Sequence, residues 1–144
     1  MVNYEGQHFE QYILYERVGR GRSADVYYAW DDCLSRWVGI KVLHKGVNAE
    51  ELEQFQNEAR ITANLKHPHV VTVFAYNEVT AYGVNNRFYT LPYYVMEYAS
   101  KGSLAERYPY GERLPLDILM QYFGQIVEGL EYIHNVWQDD GRLV

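Results

Sequence analysis

The sequence predicts an α+β fold, in which five strands form one antiparallel sheet, one helix packs on that sheet, and two further helices follow. Three features of the 144 residues lead to this prediction. Runs rich in β-branched and aromatic residues occur in two groups. A single segment between these groups has helical periodicity, and the region after Ser100 changes to helical periodicity. The short connections between neighbouring runs favour antiparallel pairing.

The strands are predicted from β-forming runs that polar or glycine-containing stretches separate. A glycine-rich loop and the segment DDCLSR lie between the first three runs, and the polar stretch NEVTAYGVNNR lies between the last two. The five runs are YILYERV (12–18), DVYYAW (25–30), WVGIKVL (37–43), VVTVFAY (70–76) and PYYVMEY (92–98).

The helices are predicted from capping patterns and periodicity. Asn48, followed three residues later by a glutamate, is typical of a capping box at the start of the segment AEELEQFQNEARITANL. Ser103 has the same pattern and predicts a short second helix. Pro115 occupies a position tolerated as a first helical residue, and apolar residues then recur at helical spacing over 116–137 before DDGR ends the helix.

Composition and charge exclude several classes of function. The chain carries 19 acidic and 13 basic residues without a basic block, so nucleic acid is not expected as a partner. The single cysteine, Cys33, excludes an internal disulfide, and the five histidines lack the spacing of metal ligands. We see neither a leader peptide nor an apolar run long enough for a membrane segment. We therefore expect a cytoplasmic protein with no metal site.

The stretch RVGRGRSADVYYAW contains Gly19 and Gly21 between two predicted strands. A dinucleotide fold would require these glycines to open a helix, and a Walker loop would require a following Gly-Lys-Ser/Thr. Two readings remain. The glycines serve turn geometry alone, or the amides of Gly19, Gly21 and Ser23 face anionic phosphate oxygens.

Lys41 interrupts an otherwise apolar strand, so its ammonium group must reach solvent or a partner. Strand alternation places Gly39 on the same face and leaves room for a ligand there. In the next helix, Glu58 lies near Phe55 at the margin of the apolar face and is therefore a candidate partner. An edge lysine in solvent and an ordinary surface glutamate are the alternatives.

Five motifs occur in a characteristic order and spacing: VGRGRSADVYYAW, VGIK, FQNEA, HPHVV and YVMEYASKGSL. In this respect the chain resembles, over nearly its whole length, the small lobe of Hanks-type (eukaryotic-like) protein kinases. The resemblance implies a kinase small lobe over residues 1–98. Residues 99–144 would then hold the hinge and the first helices of the helical large lobe.

The resemblance also implies an ATP site. In this family Lys41 would contact the α- and β-phosphates and pair with Glu58, and these two are the catalytic residues that we expect here. Met96 would be the gatekeeper, although the apolar residues of this region also suit plain core packing. The implied ATP-binding residues are Val18, Gly19, Arg20, Gly21, Ser23, Val26, Gly39, Lys41, Met96, Glu97, Ala99 and Ser103.

Two residues depart from the family pattern. Ala24 replaces the third glycine and is expected to stiffen the loop, because a Cβ atom restricts positive φ. Gly39 replaces the alanine that the family usually has two residues before the lysine, here Lys41. The sequence also lacks His-Arg-Asp, Asp-Phe-Gly and Ala-Pro-Glu motifs, and Asp139-Asp140-Gly141 follows a helix directly. We therefore expect this chain alone to be inactive, with the Mg²⁺ ligands supplied by a full-length parent.

Two functions remain open on this basis. The first is the ATP-binding portion of a protein kinase that phosphorylates Ser/Thr hydroxyls of a protein substrate. The second is a kinase-like module for interaction or regulation that transfers no phosphate. In either case we expect residues 116–137 to present an apolar face that nothing else in this chain covers. We expect the missing large lobe or self-association to cover it.

Overall fold

The computed structural model describes residues 3–82, 88–110 and 113–140, and the chain divides into two compact units. The first unit comprises Met1–Asn64 and Thr72–Tyr98, and the second comprises Leu65–Val71 and Ala99–Val144. The antiparallel α+β fold predicted from the sequence is confirmed. In chain order the elements are β1 (His8–Phe9), β2 (Tyr12–Arg20), β3 (Ala24–Asp31), β4 (Arg36–Leu43), α1 (Ala49–Ala63), β5 (Val73–Tyr82), β6 (Phe88–Met96), α2 (Leu104–Arg107) and α3 (Leu116–Asp140).

The sheet has the strand order β1-β2-β3-β4-β6-β5, and every neighbouring pair is antiparallel. All five predicted strands are present, and a sixth strand, β1, was missed because it is only two residues long. The expectation that the polar stretch 77–87 lies between the last two strands was wrong in part. Strand β5 continues to Tyr82 and pairs with β6 along its length, while residues 83–87 of that stretch lie outside the described residues.

The two faces of the sheet bury different clusters, because side chains alternate along each strand. One face carries Val38, Ile40 and Val42 of β4 with the aromatic rings of Tyr27 and Tyr93. The other face carries Leu43 and Tyr94 and is covered by Phe55 and Ala59 of α1. Helix α1 is therefore fixed to the face on which strand alternation places Lys41.

The predicted helix starts are confirmed where the structure gives a cap. Asn48 and Ser103 cap α1 and α2, each with a complete capping box. Helix α3 begins directly after Pro115, whose carbonyl oxygen accepts a hydrogen bond from the Leu119 amide at 3.0 Å. The predicted helix-ending DDGR falls only in part within the described residues, since Gly141 and Arg142 lie outside them.

The apolar stripe of α3 is exposed in the second unit. Leu119, Phe123, Ile126 and Leu130 each expose about half of their side chains or more. Helix α3 approaches the His67–Val70 segment at Gly129, where an added Cβ atom would lie 3.4 Å from the His69 carbonyl oxygen. Among the described residues, no helix combines the length and the apolar character that a membrane crossing requires.

Candidate functional site

The centre of the candidate site is an ion pair between Lys41 of β4 and Glu58 of α1. The Lys41 ammonium group donates to both carboxylate oxygens, at 2.6 Å to Oε1 and 2.8 Å to Oε2. The Lys41 side chain is 24% exposed and the Glu58 side chain 49% exposed. The ammonium group is thus held by a partner from the neighbouring helix and still borders solvent.

Strand register and helix packing explain why these two side chains meet. Lys41 lies opposite Val26 of β3 and opposite Tyr94 of β6, so its position on the sheet is fixed from both sides. Helix α1 buries Phe55 and Ala59, which flank Glu58 along the helix, against the same face. A residue between two buried positions at this spacing is directed toward the sheet margin.

The carboxylate of Glu58 accepts a third hydrogen bond, from the hydroxyl of Tyr94 at 2.7 Å. Burial raises the pKa of Glu58, but the hydrogen bonds from Lys41 and Tyr94 outweigh burial and hold the pKa below its ordinary value. Burial and the hydrogen bond to Glu58 raise the pKa of the Tyr94 phenol far above its ordinary value. Glu58 is therefore charged and Tyr94 neutral near pH 7.

An apolar surface formed by Val26, Gly39 and Met96 adjoins the ion pair. Gly39 lies two residues before Lys41 and opposite Met96 of β6. A Cβ atom at position 39 would lie 3.3 Å from two Met96 side-chain atoms and 3.6 Å from the Glu97 carbonyl oxygen. The absence of a Cβ atom therefore lets Met96 lie close over the strand. Val26 shares this face, because it pairs with Lys41 in the register.

The backbone of Glu97 can offer one of its two polar groups to a base. Its amide donates to the Thr72 carbonyl oxygen at 2.8 Å and is therefore occupied. The Glu97 carbonyl oxygen lies near the Gly39 backbone. Of the two groups, this oxygen suits a hydrogen bond from an exocyclic amine.

The glycine-rich segment is a tight hairpin, which corrects part of the expectation for its amides. Gly19 lies within β2, paired with Val26, and Val18 adjoins a bulge in the same strand. The Gly21 amide donates to the Ala24 carbonyl oxygen at 2.8 Å, so it is not free for a phosphate oxygen. An added Cβ atom at Gly21 would lie 2.7 Å from that oxygen, so close approach requires glycine here. Residues 21–23, including Ser23, form the turn itself.

Ala24, one of the two departures from the family pattern, is buried at the start of β3. Its φ is not positive, and the residue is 4% exposed within the cluster that α1 covers. Its methyl group is part of the core, so alanine is well accommodated at this position. Ala24 therefore does not use the positive-φ region that a Cβ atom restricts, and the stiffness of the loop stays a prediction.

A buried charged cluster, which the sequence analysis missed, anchors the hairpin. Asp25 is 2% exposed and lies 3.3 Å from Arg17 Nη1 and 3.1 Å from His44 Nε2. The His44 amide also donates to the Ser23 carbonyl oxygen at 2.7 Å. Residues from β2, β3 and the end of β4 thus converge directly beside the turn.

An aromatic group, also missed from the sequence, lies on the same face as Gly39. Tyr28 is the register partner of Gly39 and stacks on Trp37 at a centroid distance of 4.1 Å. Tyr98 also packs against Tyr28, at a centroid distance of 4.3 Å. Strand alternation from Gly39 to Trp37 was the signal that would have located this group.

Two expected site residues, Ala99 and Ser103, belong to the second unit. The Ala99 carbonyl oxygen accepts from the Gly102 amide at 3.3 Å, and the Ser103 side chain is the acceptor of the α2 capping box. In the same unit His67 stacks on Tyr132, whose hydroxyl accepts from the Lys66 amide at 2.9 Å. The Ser103 hydroxyl already has a structural role, which competes with a contact to ribose.

Comparisons with known proteins agree with this geometry. A model of the protein kinase domain family matches residues 12–137. Serine/threonine-protein kinases drp72 of Corynebacterium efficiens is 34% identical over 127 residues, which is 87% of this chain and 24% of that protein. Serine/threonine-protein kinase PksC of Streptomyces coelicolor is 32% identical over 132 residues, covering 88% and 23%.

A plant relative and a solved structure extend the comparison. CBL-interacting protein kinase 30 of Oryza sativa is 32% identical over 127 residues, covering 87% of this chain and 25% of the relative. The chain thus spans about a quarter of the length of these curated relatives. The solved structure of PpkA-294 in its apo form matches with a TM-score of 0.51 at 23% identity, covering 65% of this chain and 37% of the other, and supports the fold.

Proposed function

Because this chain belongs to the protein kinase domain family, we propose that it is the ATP-binding portion of an enzyme that transfers the γ-phosphate of ATP to Ser/Thr hydroxyls of a protein. The single observation that carries this proposal is the Lys41–Glu58 pair. A lysine held by a glutamate of the packed helix is the arrangement that places an ammonium group against nucleotide phosphates.

The residues around this pair support ATP in particular. A polyanionic phosphate chain suits the partly exposed Lys41 ammonium group, because charge-assisted hydrogen bonds are stronger than neutral ones. The surface of Val26, Gly39 and Met96 suits the flat apolar faces of adenine. The Glu97 carbonyl oxygen would accept from the exocyclic amine, while Lys41 would bind the α- and β-phosphates.

The remaining parts of the proposal rest on the family alone. Mg²⁺ would neutralise the phosphate charge, held by residues that a longer parent protein supplies. Residues 1–98 would form the nucleotide-binding lobe and residues 99–144 the hinge and the first helices of the second lobe. Serine and threonine are proposed as acceptors because the bacterial relatives carry that description, and a cytoplasmic site of action is proposed because ATP is available there.

The test is phosphoryl transfer by the full-length gene product with γ-labelled ATP, followed by phosphoamino acid analysis. We expect label on serine and threonine, its loss in Lys41→Met, and unchanged transfer in Lys45→Met, which makes the same substitution four residues away. Glu58→Gln should lower turnover more than it weakens ATP binding, because its work is to orient Lys41. A well-folded full-length protein that binds ATP but transfers no label would instead support the regulatory module.

A further inference from the structure

Tyr94 of β6, the first residue of the motif YVMEYASKGSL, contacts the Lys41–Glu58 pair, a role that the motif itself does not indicate. Its ring is 3% exposed, and its hydroxyl donates to Glu58 Oε1 at 2.7 Å. The same oxygen accepts from Lys41 Nζ at 2.6 Å. One carboxylate oxygen is thus held at once by a side chain from β4 and a side chain from β6.

The position of this hydroxyl is fixed more firmly than that of the lysine. Tyr94 lies directly opposite Lys41 in the strand register, and its ring packs on Phe55 of α1 at a centroid distance of 5.0 Å. Lysine reaches its partner through a flexible four-carbon chain, whereas a buried tyrosine has only two side-chain torsions to fix. The phenol is therefore the more rigid of the two donors.

The exposure of the ion pair makes a second donor matter. Glu58 is half exposed, and an ion pair of this exposure contributes little by itself to holding two elements together. A hydrogen bond from a buried hydroxyl to a charged group is stronger than an ordinary neutral hydrogen bond. The hydrogen bond from Tyr94 thus holds α1 to the sheet, which the exposed ion pair alone does only weakly.

We propose that Tyr94 is a positioning residue whose hydroxyl holds Glu58, and with it α1, against Lys41 before any nucleotide binds. This inference rests on the proposed function for its biological meaning, because it concerns the readiness of the same lysine for phosphates. The site is then assembled by the sheet itself. Lys41 is oriented in the free protein and does not depend on ATP to draw α1 inward.

The test follows the acidity of Glu58 in the 144-residue chain by carbon-13 NMR of its carboxyl group. Tyr94→Phe removes only the hydroxyl, and we expect the acid dissociation constant of Glu58 to fall about tenfold. The matched control is Tyr93→Phe, which removes the adjacent buried hydroxyl that donates to Glu10 at 3.1 Å. Unchanged Glu58 acidity in Tyr94→Phe, or an equal change in both variants, would overturn the proposal.

A second measurement needs no substitution. Lys41 and Tyr94 are the titratable groups placed against Glu58 from the neighbouring strands. In the unmodified chain the Tyr94 Cζ resonance should therefore move with the same midpoint as the Glu58 carboxyl carbon. A Tyr94 Cζ resonance that does not shift as Glu58 titrates would refute the Tyr94–Glu58 hydrogen bond, even if Tyr94→Phe does not fold.

Nucleotide binding separates this inference from the proposed function. If the unmodified chain binds ATP no better than adenosine, the proposed function fails, whereas the Tyr94–Glu58 link is still decided by the titrations. If ATP is preferred, Tyr94→Phe should lose part of that preference and Tyr93→Phe should keep it. Full preference in Tyr94→Phe would overturn the positioning role alone.

Discussion

Replacing Asp25 with asparagine should destabilise the first unit by about 3 kcal/mol. Asp25 is 2% exposed and the Arg17 side chain 12% exposed, so asparagine would leave the guanidinium charge buried without its counter-charge. Breaking a buried pair by removing one partner costs about 3–5 kcal/mol. We expect the lower end, because Arg17 retains some access to water and the His44 side chain can rearrange around the amide.

The assay is urea denaturation at pH 7, with unfolding followed by tryptophan fluorescence. Asp32→Asn is the matched control, since it makes the same change at an exposed position in the turn between β3 and β4 and should shift stability by no more than about 0.5 kcal/mol. If both variants lose the same small amount, the cluster of Asp25, Arg17 and His44 does not anchor the hairpin.

Three further predictions concern the turn, the carboxylate and the last helix. Gly21→Ala should destabilise the fold by about 1–3 kcal/mol, because the added Cβ atom clashes with the backbone. Gly124→Ala has open space around it in α3 and should stabilise the helix by up to about 1 kcal/mol. Thermal melts of both variants would show whether the signs differ. Because the pKa of Glu58 is depressed, the charged carboxylate stabilises the fold fully above the ordinary glutamate pKa of 4.5, and this stabilisation is lost as pH falls through the folded-state pKa. Glu58→Gln should therefore flatten the pH dependence of the free energy of unfolding below pH 4.5. An unchanged profile would contradict this. The exposed face of α3 should make the isolated chain self-associate, and Phe123→Glu should reduce the mass measured by light scattering; a monomer at high concentration would refute it.

Strand and helix periodicity were sufficient to predict most of the fold and the central pair. Alternation placed Gly39 and Lys41 on one face, and the helical angle placed Glu58 at the margin of the apolar stripe, which is where the structure has them. Strand β1 escaped prediction because two residues cannot show periodicity. The outer half of β5 escaped because its residues at the edge of the sheet look polar and loop-like in sequence.

The missed site residues depend on contacts between distant parts of the chain. Tyr94 reads as an ordinary core aromatic until the register places it opposite Lys41. Asp25 was predicted only as the first residue of a strand, and its burial is explained by Arg17 and His44, which come from other parts of the chain. At Gly21, the expectation of a free amide failed for the opposite reason. The hairpin itself uses the Gly21 amide, a local hydrogen bond that composition does not reveal.

The proposed role of Lys41 in holding nucleotide phosphates is tested most directly by calorimetric titration of the 144-residue chain with ATP and with adenosine. In Lys41→Met we expect the preference for ATP over adenosine to fall roughly ten- to a hundredfold, since a hydrogen bond to a charged group contributes about 1.5–3 kcal/mol. Adenosine binding should be unchanged, because the proposed contact of Lys41 is to the phosphates and not to the base. The Lys45 ammonium group lies 4.1 Å from the centroid of the Tyr89 ring, and Lys45→Met should retain the full preference for ATP. Equal losses for ATP and adenosine in Lys41→Met would contradict the account.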